Sequence, residues 1–485
     1  MKQVIENLIQ FEIDHQTIDQ RDYHYVKNQI YRLLGLEHAS DDLYPVSITT
    51  PSDALEPILD MLEQNQTLDG SQSHRDLFDA KIMNVFASLP SVIEKRFYQL
   101  HGSMRTDWLY DYAKSLNYIR MDRIMKNLSF IYHSTFGDMQ ITINLSKPEK
   151  DPRSIVNAIK EKNTTYPLCV LCVENEGFSG NALRDSRDQH RLISFDMNQE
   201  TWFFQYSPYI YYNEHAIVIS KIHRPMHIDE TTLMNLLTLT DRFEGYFFGS
   251  NADLPIVGGS ILTHDHYQGG KHHFPIENAP VLKTYHEDDV DIDMMQWPLS
   301  TIRLKAKNMQ KLVELATQYL HRWQHYTNES LNLRAYTNQE PHHTITPIAR
   351  KTSRGYELDL ILRDNQTSIE HPLGIFHPHA DKWHIKKENI GLIEAMGLAI
   401  LPSRLLQAMA DIKTYITKHT PLSDSASIHQ AWIDSIKDHL DMNNLDRALH
   451  DAIGHVFEEV LVDCGVFKLD SQGIEAFDTF IKEVI

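Results

Sequence analysis

Three polar side chains alternate along one short segment of the chain: His264, His266 and Gln268. Because successive side chains of an extended segment point to opposite sides, these three share one side. An imidazole beside an uncharged amide suits covalent attack on a phosphoryl group, since the imidazole attacks phosphorus while the amide donates to a phosphoryl oxygen. The row therefore indicates nucleophilic catalysis at phosphorus.

The residues on either side of this row suggest how it is held. Ile261 and Leu262 precede it and predict a buried strand, whereas Gly269 and Gly270 follow it and predict backbone amides that approach a ligand closely. The competing interpretation is a histidine satisfied by hydrogen bonds in a core or loop, which is the default for most of the 28 histidines. The ordered row ending in Gln268 favours chemistry.

A pair of cysteines could hold a metal ion. Cys169 and Cys172 have the spacing at which two thiolates bind one zinc ion, and two further ligands would complete a tetrahedral site. His223 and His264 are the best candidates, which would leave His266 available for chemistry. The alternative is a pair of buried thiols without a metal, a common state of such cysteines.

Length and charge limit the functions to be considered. At 485 residues the chain is too long for one compact core, so two or three domains are expected. A formal net charge of −20 argues against broad nucleic-acid binding, which requires a basic face. A phosphorylated metabolite remains compatible, because a few lysines and arginines can serve one pocket.

The compartment is indicated by what the sequence lacks. Glu6 interrupts the apolar stretch that a signal peptide would need, and no apolar run approaches the roughly 20 residues that cross a bilayer. Three cysteines do not make a disulfide framework. We therefore expect a reduced, cytoplasmic protein that contacts neither a membrane nor nucleic acid.

The chain changes character near Gly137. Before it, apolar residues recur at helical spacing, and after it several segments alternate or run apolar as strands do. Strands are predicted at 141–145, 202–206, 216–220 and 356–362. The pattern predicts an α+β protein with a helical N-terminal region at 1–135, two mixed segments at 136–290 and 291–402, and a helical C-terminal region at 403–485.

The row resembles the His-x-His-x-Gln signature of the transferase branch of the histidine-triad superfamily. Flanking segments narrow the resemblance to the second, divergent type of the galactose-1-phosphate uridylyltransferases (UDP-glucose–hexose-1-phosphate uridylyltransferases), and it runs nearly end to end. The segments that carry it are NLSKPEKDP (144–152), QYSPY (205–209), YNEH (212–215), GSNADLP (249–255), GIFHPH (374–379) and HIKKENIGLIE (384–394).

The resemblance implies two histidine-triad-like halves with antiparallel sheets and flanking helices. It also implies a ping-pong reaction in which UDP-glucose uridylylates His266 and galactose-1-phosphate then accepts the group. Gln268 would donate to the phosphoryl oxygen, and Asn251 and Ser260 would contact the nucleotide phosphates. A homodimer is a further implication.

The better-known type of this family carries two metals. Its zinc set, two cysteines and two histidines in the same order, matches Cys169, Cys172, His223 and His264. The strand that would supply its second metal with two histidines offers Glu357 and Asp359 here, so no second metal is expected.

Four further residues outside the row are candidates for substrate binding. Lys387, with its neighbour Lys386, and Glu394 could anchor the hexose phosphate and contact the sugar hydroxyls, and Arg350 is a further phosphate candidate. The competing interpretation of the two lysines is a solvated basic patch at the start of a helix.

Two other functions fit the row. A dinucleotide phosphorylase of the same superfamily shares the glutamine, whereas hydrolases usually place a third histidine at the position of Gln268. A metal-binding β-barrel protein without catalytic activity also uses His-x-His pairs. Such barrels commonly supply a glutamate soon after the pair, where this chain has Gly270 and Lys271.

Overall fold

The computed structural model describes residues 2–36, 48–146, 166–181 and 184–485. Residues 147–152 of the resembling segment NLSKPEKDP lie outside these ranges. Within them the chain forms two compact units, one from residues 1–126 with 146–223 and the other from residues 127–145 with 224–485.

Fourteen α-helices lie in the described ranges. They are α1 (Lys2–Asp14), α2 (Tyr23–Leu34), α3 (Ser52–Gln64), α4 (Gln72–Asn84), α5 (Pro90–Gln99), α6 (Met104–Ser115), α7 (Met121–Ile124), α8 (Glu230–Arg242), α9 (Met309–Gln324), α10 (Leu392–Ala395), α11 (Arg404–Lys418), α12 (Gln430–Ile436), α13 (Leu445–Cys464) and α14 (Ser471–Lys482). None of these described helices is long and apolar enough to cross a membrane.

Fifteen β-strands are described in the same ranges. They are β1 (Leu128–Ser134), β2 (Gly137–Asn144), β3 (Ile193–Met197), β4 (Glu200–Tyr206), β5 (Ala216–Ser220), β6 (Phe247–Gly249), β7 (His266–Gly270), β8 (Val281–Glu287), β9 (Val290–Met295), β10 (Thr301–Ala306), β11 (Tyr336–Thr337), β12 (Glu340–Pro341), β13 (His343–Thr352), β14 (Gly355–Asp364) and β15 (Leu398–Pro402). Helices together with mainly antiparallel strands confirm the predicted α+β class.

The first unit combines α1 to α7 with three antiparallel strands, β3, β4 and β5. Helix α1 is amphipathic, and the apolar residues that predicted it lie in the core. In β4 the aromatic rings of Trp202, Phe204 and Tyr206 are buried. The alternation of these rings with less buried neighbours explains why β4 forms where a strand was predicted.

The second unit contains an antiparallel run of strands in the order β7, β6, β13, β14, β10, β9, β8. Helices α8 and α9 pack against each other and on β13. A separate sheet joins β1, β2 and β15, with β15 parallel to β2. Strand β1 lies within the segment 1–135 that was predicted to be helical, and its Phe130 pairs with Ile141 in a β1–β2 hairpin.

In the antiparallel run that contains β7, strand pairing determines which side chains lie on the same face as His266. We call this face the reactive face. Gln268 pairs with Gly249, Gly249 with Ile348, and Ile348 with Asp359. Directly paired residues point to the same side of a sheet, as do residues two apart on one strand. The side chains of Gln268, His266 and Asp359 therefore share one face.

Candidate active site

His266 is the first residue of β7 and is buried, with 6% of its surface exposed. Its Nδ1 lies 2.7 Å from the backbone oxygen of His264. Since a carbonyl oxygen only accepts, Nδ1 carries the proton and Nε2 keeps its lone pair. Burial lowers the pKa of His266 to about 4, so the imidazole is neutral at neutral pH. This is the protonation state that a nucleophilic histidine requires.

The residues around His266 depart from the prediction at two points. Ile261 and Leu262 do not form a strand and are only partly buried. A backbone hydrogen bond from the Met226 N–H to the Leu262 oxygen holds this segment. Pairing with a neighbouring strand begins at His266. Gly269 does not serve ligand approach, because a Cβ there would lie 2.5 Å from the ring of Phe248. That glycine lets an aromatic ring pack against β7.

Asn251 is buried, with a defined amide orientation. Its Oδ1 accepts a hydrogen bond of 2.9 Å from the backbone N–H of Leu392. Its Nδ2 points toward Gly259, where an added Cβ would lie only 2.6 Å away. Ser260, the next residue, is exposed. The two residues predicted to contact nucleotide phosphates are thus neighbours, with the amide's donor side turned toward the Gly259–Ser260 segment.

Glu394 pairs with Lys386, the neighbour of Lys387, which was predicted to bind substrate. Lys386 is buried, and its Nζ lies 2.9 Å from Glu394 Oε1. Burial opposes its charge, but the carboxylate of Glu394 outweighs burial and raises the pKa of Lys386. Lys387 is exposed, with Nζ 5.0 Å from the centre of the Trp383 ring. Only Lys386 is thus fixed in place beside Glu394.

Arg350 belongs to a buried group of charges centred on Asp359. Arg303 donates from Nε and Nη2 to the Asp359 carboxylate at 2.6 and 3.0 Å, and Arg350 Nη2 donates to the same carboxylate. Burial would raise the pKa of Asp359, but the two guanidinium charges lower it to about 2. The Arg350 side chain, predicted to bind phosphate, is engaged by a carboxylate of its own sheet.

Three of the four predicted zinc ligands lie together in the first unit. The Sγ atoms of Cys169 and Cys172 are 3.5 Å apart, and Cys172 Sγ is 3.2 Å from His223 Nδ1. His264, the fourth predicted ligand, belongs to the second unit. Burial raises the pKa of Cys172 to about 11, whereas thiolates are the form that binds a cation. This is a Cys/His cluster that could hold a metal ion.

Sequence reasoning missed two buried residues on the reactive face. Thr346 and Arg363 lie on β13 and β14, two and four residues from the paired Ile348 and Asp359, so they share the face of His266. A signal was present, because Arg363 ends the otherwise apolar run Leu360–Ile361–Leu362. A charged residue in a buried run requires a specific partner or role.

A buried neutral histidine on an antiparallel sheet, with the amide of Gln268 on the same face, has the features of a site for nucleophilic phosphoryl chemistry. Comparison with known proteins is more specific. Residues 16–225 match the N-terminal domain of the family "galactose-1-phosphate uridyl transferase", and residues 239–434 match its C-terminal domain. The chain belongs to this family.

Curated relatives match along almost their whole length. A galactose-1-phosphate uridylyltransferase of Clostridium perfringens (strain 13 / Type A) is 43% identical, covering 99% of this chain and 98% of the relative. One from Latilactobacillus sakei is 44% identical, with 96% and 95% covered. Among solved structures, yeast Ap4A phosphorylase Apa2 in complex with Ap4A has a TM-score of 0.37 at 9% identity, covering 77% of this chain and 97% of that chain.

Proposed function

We propose that this protein transfers the uridylyl group of UDP-glucose to galactose-1-phosphate, giving UDP-galactose and glucose-1-phosphate, as an enzyme of galactose metabolism. The observation that carries the proposal is the buried His266, whose Nδ1–H is bound to a carbonyl so that Nε2 can attack. The near full-length similarity to curated galactose-1-phosphate uridylyltransferases supports the choice of substrates over those of a dinucleotide phosphorylase.

The reaction proceeds in two displacements at the α-phosphorus. Nε2 of His266 attacks the phosphorus of UDP-glucose, the bond to the bridging oxygen breaks, and glucose-1-phosphate leaves with that electron pair. A phosphate oxygen of galactose-1-phosphate then attacks the same phosphorus, and the phosphorus–nitrogen bond breaks to release UDP-galactose. Gln268 cannot readily activate water, because an amide is a poor base, so the uridylyl-histidine survives until the second substrate binds.

Amide and hydroxyl donors stabilise the negative charge on the phosphoryl oxygens. Gln268 lies on the face of His266, and Asn251 presents its Nδ2 because Leu392 occupies its Oδ1. Ser260 adds a hydroxyl beside them. On the hexose side, the Lys386–Glu394 pair supports a site in which Lys387 anchors the hexose phosphate and Glu394 accepts from the sugar hydroxyls, with Arg350 a further phosphate candidate.

The Cys/His cluster is assigned to zinc. Two thiolates and two imidazoles are the donor set of closed tetrahedral zinc sites, and the predicted ligands Cys169, Cys172, His223 and His264 supply that set. A zinc ion would supply structural cross-linking and no open position for substrate. The backbone of His264 meanwhile orients His266, so one short segment would serve both the metal and the nucleophile.

Several expectations complete the proposal. The segment boundaries at 135, 290 and 402, a cytoplasmic location and a homodimer remain predictions from the sequence and its family resemblance. So does the single metal: the charges around Asp359 support a site without a second ion, because two guanidinium groups already balance the carboxylate.

The test is capture of the covalent intermediate. The protein is incubated with UDP-glucose labelled in its α-phosphate, denatured, and examined for a protein-bound label that is lost in acid and retained in base. His266→Ala should carry no label, whereas the control His273→Ala, at an exposed histidine of the following loop, should label normally. Label on His266→Ala, or none on the folded wild type, would overturn the mechanism.

A further inference from the structure

Arg363 is a buried cation without a carboxylate partner. Only 1% of its surface is exposed, and within the described part of the chain it takes part in no ion pair closer than 4.0 Å. Its Nε has no hydrogen-bond partner there, and burial lowers its pKa. Removing a guanidinium from water is costly, and the more distant carboxylate of Glu394 offsets only part of that cost, so a solely structural purpose would be served better by an apolar residue.

Its two described side-chain hydrogen bonds connect the sheet to one loop. Nη1 donates to Thr346 Oγ1 at 3.3 Å, and Nη2 donates to the backbone oxygen of Ile390 at 2.7 Å. The backbone of Arg363 is also fixed, because its carbonyl accepts from Trp323 Nε1 at 3.1 Å. Arg363 thus holds the loop containing Ile390 against the reactive face.

That loop touches both predicted halves of the substrate site. Two residues after Ile390, the Leu392 N–H fixes the amide of Asn251. On either side of the loop stand Lys386 and Glu394, joined by a 2.9 Å ion pair. A shift of the Ile390 backbone would therefore disturb a donor to the nucleotide phosphate and the hexose-phosphate side together.

We propose that Arg363 is a positioning residue, which sets the loop from Asn389 to Gly391 and the start of α10 so that the donors for the nucleotide and for the hexose phosphate are aligned at once. It acts through the Ile390 carbonyl and touches neither substrate. The proposal rests on the proposed uridylyl transfer. It adds that one residue, Arg363, positions the donors that both half-reactions use.

The kinetic test separates rate from active fraction. Wild type, Arg363→Met and Arg363→Lys are labelled with UDP-glucose carrying a labelled α-phosphate, so that the final label counts competent sites and the time course gives the rate per site. We expect Arg363→Met to label about tenfold or more slowly per site, with a raised KM for galactose-1-phosphate, from loss of a charge-assisted hydrogen bond. Arg363→Lys, which keeps a charged N–H donor, should recover part of the labelling rate per site and reverse part of the rise in KM for galactose-1-phosphate. A merely structural role would lower the final label and leave rate per site and KM unchanged.

A second readout does not depend on activity. The Leu392 amide is held by Asn251, so its hydrogen exchange in the full chain should accelerate about tenfold in Arg363→Met, while amides of β9 keep their wild-type rates. Unchanged exchange and unchanged kinetics per site would overturn the role of Arg363. If Arg363→Met does not fold, Arg363→Lys is judged by the same two criteria. Absence of label on wild type would instead refute the proposed function.

Discussion

Asp359 lies fully buried between two guanidinium groups, on the strand that would carry a second metal in the better-known family type. Sequence alone identified the acidic residues of this strand but not their partners. Arg303 comes from β10 and Arg350 from β13, so the cluster exists only through strand pairing. The same limit explains why Lys387 was chosen over Lys386, since adjacent lysines differ only in the direction that the fold gives them.

Asp359→Asn should destabilise the protein strongly. The substitution removes the charge that balances two buried guanidinium groups, and breaking a buried ion pair costs about 3–5 kcal/mol. Urea unfolding at neutral pH measures the loss in the free energy of unfolding. Guanidinium is unsuitable as the denaturant, because it is itself a cation and interferes with a charged cluster. Asp289→Asn, which removes an exposed partner of Lys311, is the control and should leave the unfolding midpoint unchanged. An Asp359→Asn protein as stable as wild type would contradict this account.

The pH dependence of the same variant has a defined sign. The pKa of Asp359 is lowered to about 2 in the folded protein, against an ordinary value of 3.8. Its stabilisation is therefore complete above the unfolded value and is lost as the pH falls through about 2. The difference in unfolding free energy between wild type and Asp359→Asn should narrow from pH 4 downward. A difference that stays constant over this range would show that the carboxylate is not the titrating group.

At the scale of elements, the periodicity of apolar residues predicted many of the helices and strands that form. Apolar spacing located α1, and runs of apolar or alternating residues located β4, β5 and β14, because those elements bury the side chains that define the pattern. Strand β1 was missed because its burial alternates only between intermediate and exposed. Pairing with β2 and contacts of Phe130 and Tyr132 with α13 stabilise it. The limits of β7 are set by pairing with its neighbouring strand and by the packed ring of Phe248, and local sequence shows neither.

Two histidines join the start of helix α12 to the loop that precedes α10. Nδ1 of His384 and Nδ1 of His429 are 3.0 Å apart, so one ring donates, and the ring that accepts must carry no proton on Nδ1. Burial lowers the pKa of each to about 4. The groups facing the pair are Asp381, Arg404 and the ring of Trp432. The contact is lost when the accepting ring gains a proton on its Nδ1.

Acidification should therefore loosen the C-terminal helices. Because the folded pKa values are lowered, the stabilisation is present above the ordinary histidine value of 6.5 and is lost as the pH falls toward about 4. Allowing for solvent screening of partly exposed rings, we expect a loss of about 1–2 kcal/mol. Urea unfolding followed by tryptophan fluorescence at pH 7.5 and pH 5 measures it. His429→Gln should show a smaller pH effect and the exposed control His286→Gln the wild-type effect, whereas equal slopes in all three would contradict the assignment.

At the scale of the whole molecule, similarity to the family extends over both matched domains, whereas the described structure divides the chain into units built from separated stretches of sequence. Residues 127–145 leave the first stretch and join the second unit, where β2 pairs with β15. A parallel pairing of strands more than 250 residues apart leaves no local signal. Sequence could predict the class and the reactive row, but not which distant stretches complete each unit.

Metal binding should stabilise the whole chain, because an ion that binds only the folded state adds free energy that grows with its concentration over Kd, about 4 kcal/mol at a thousandfold excess. We expect one zinc ion per chain by elemental analysis and a melting temperature that falls by several degrees when a strong chelator removes it. Cys172→Ser should lack both the zinc and the response to chelator. Cys464→Ser is the matched control, since that buried thiol lies at the end of α13 outside the cluster, and it should keep both. A wild-type protein that binds no zinc, or one whose Cys172→Ser variant binds it equally, would show that the two thiols serve packing alone.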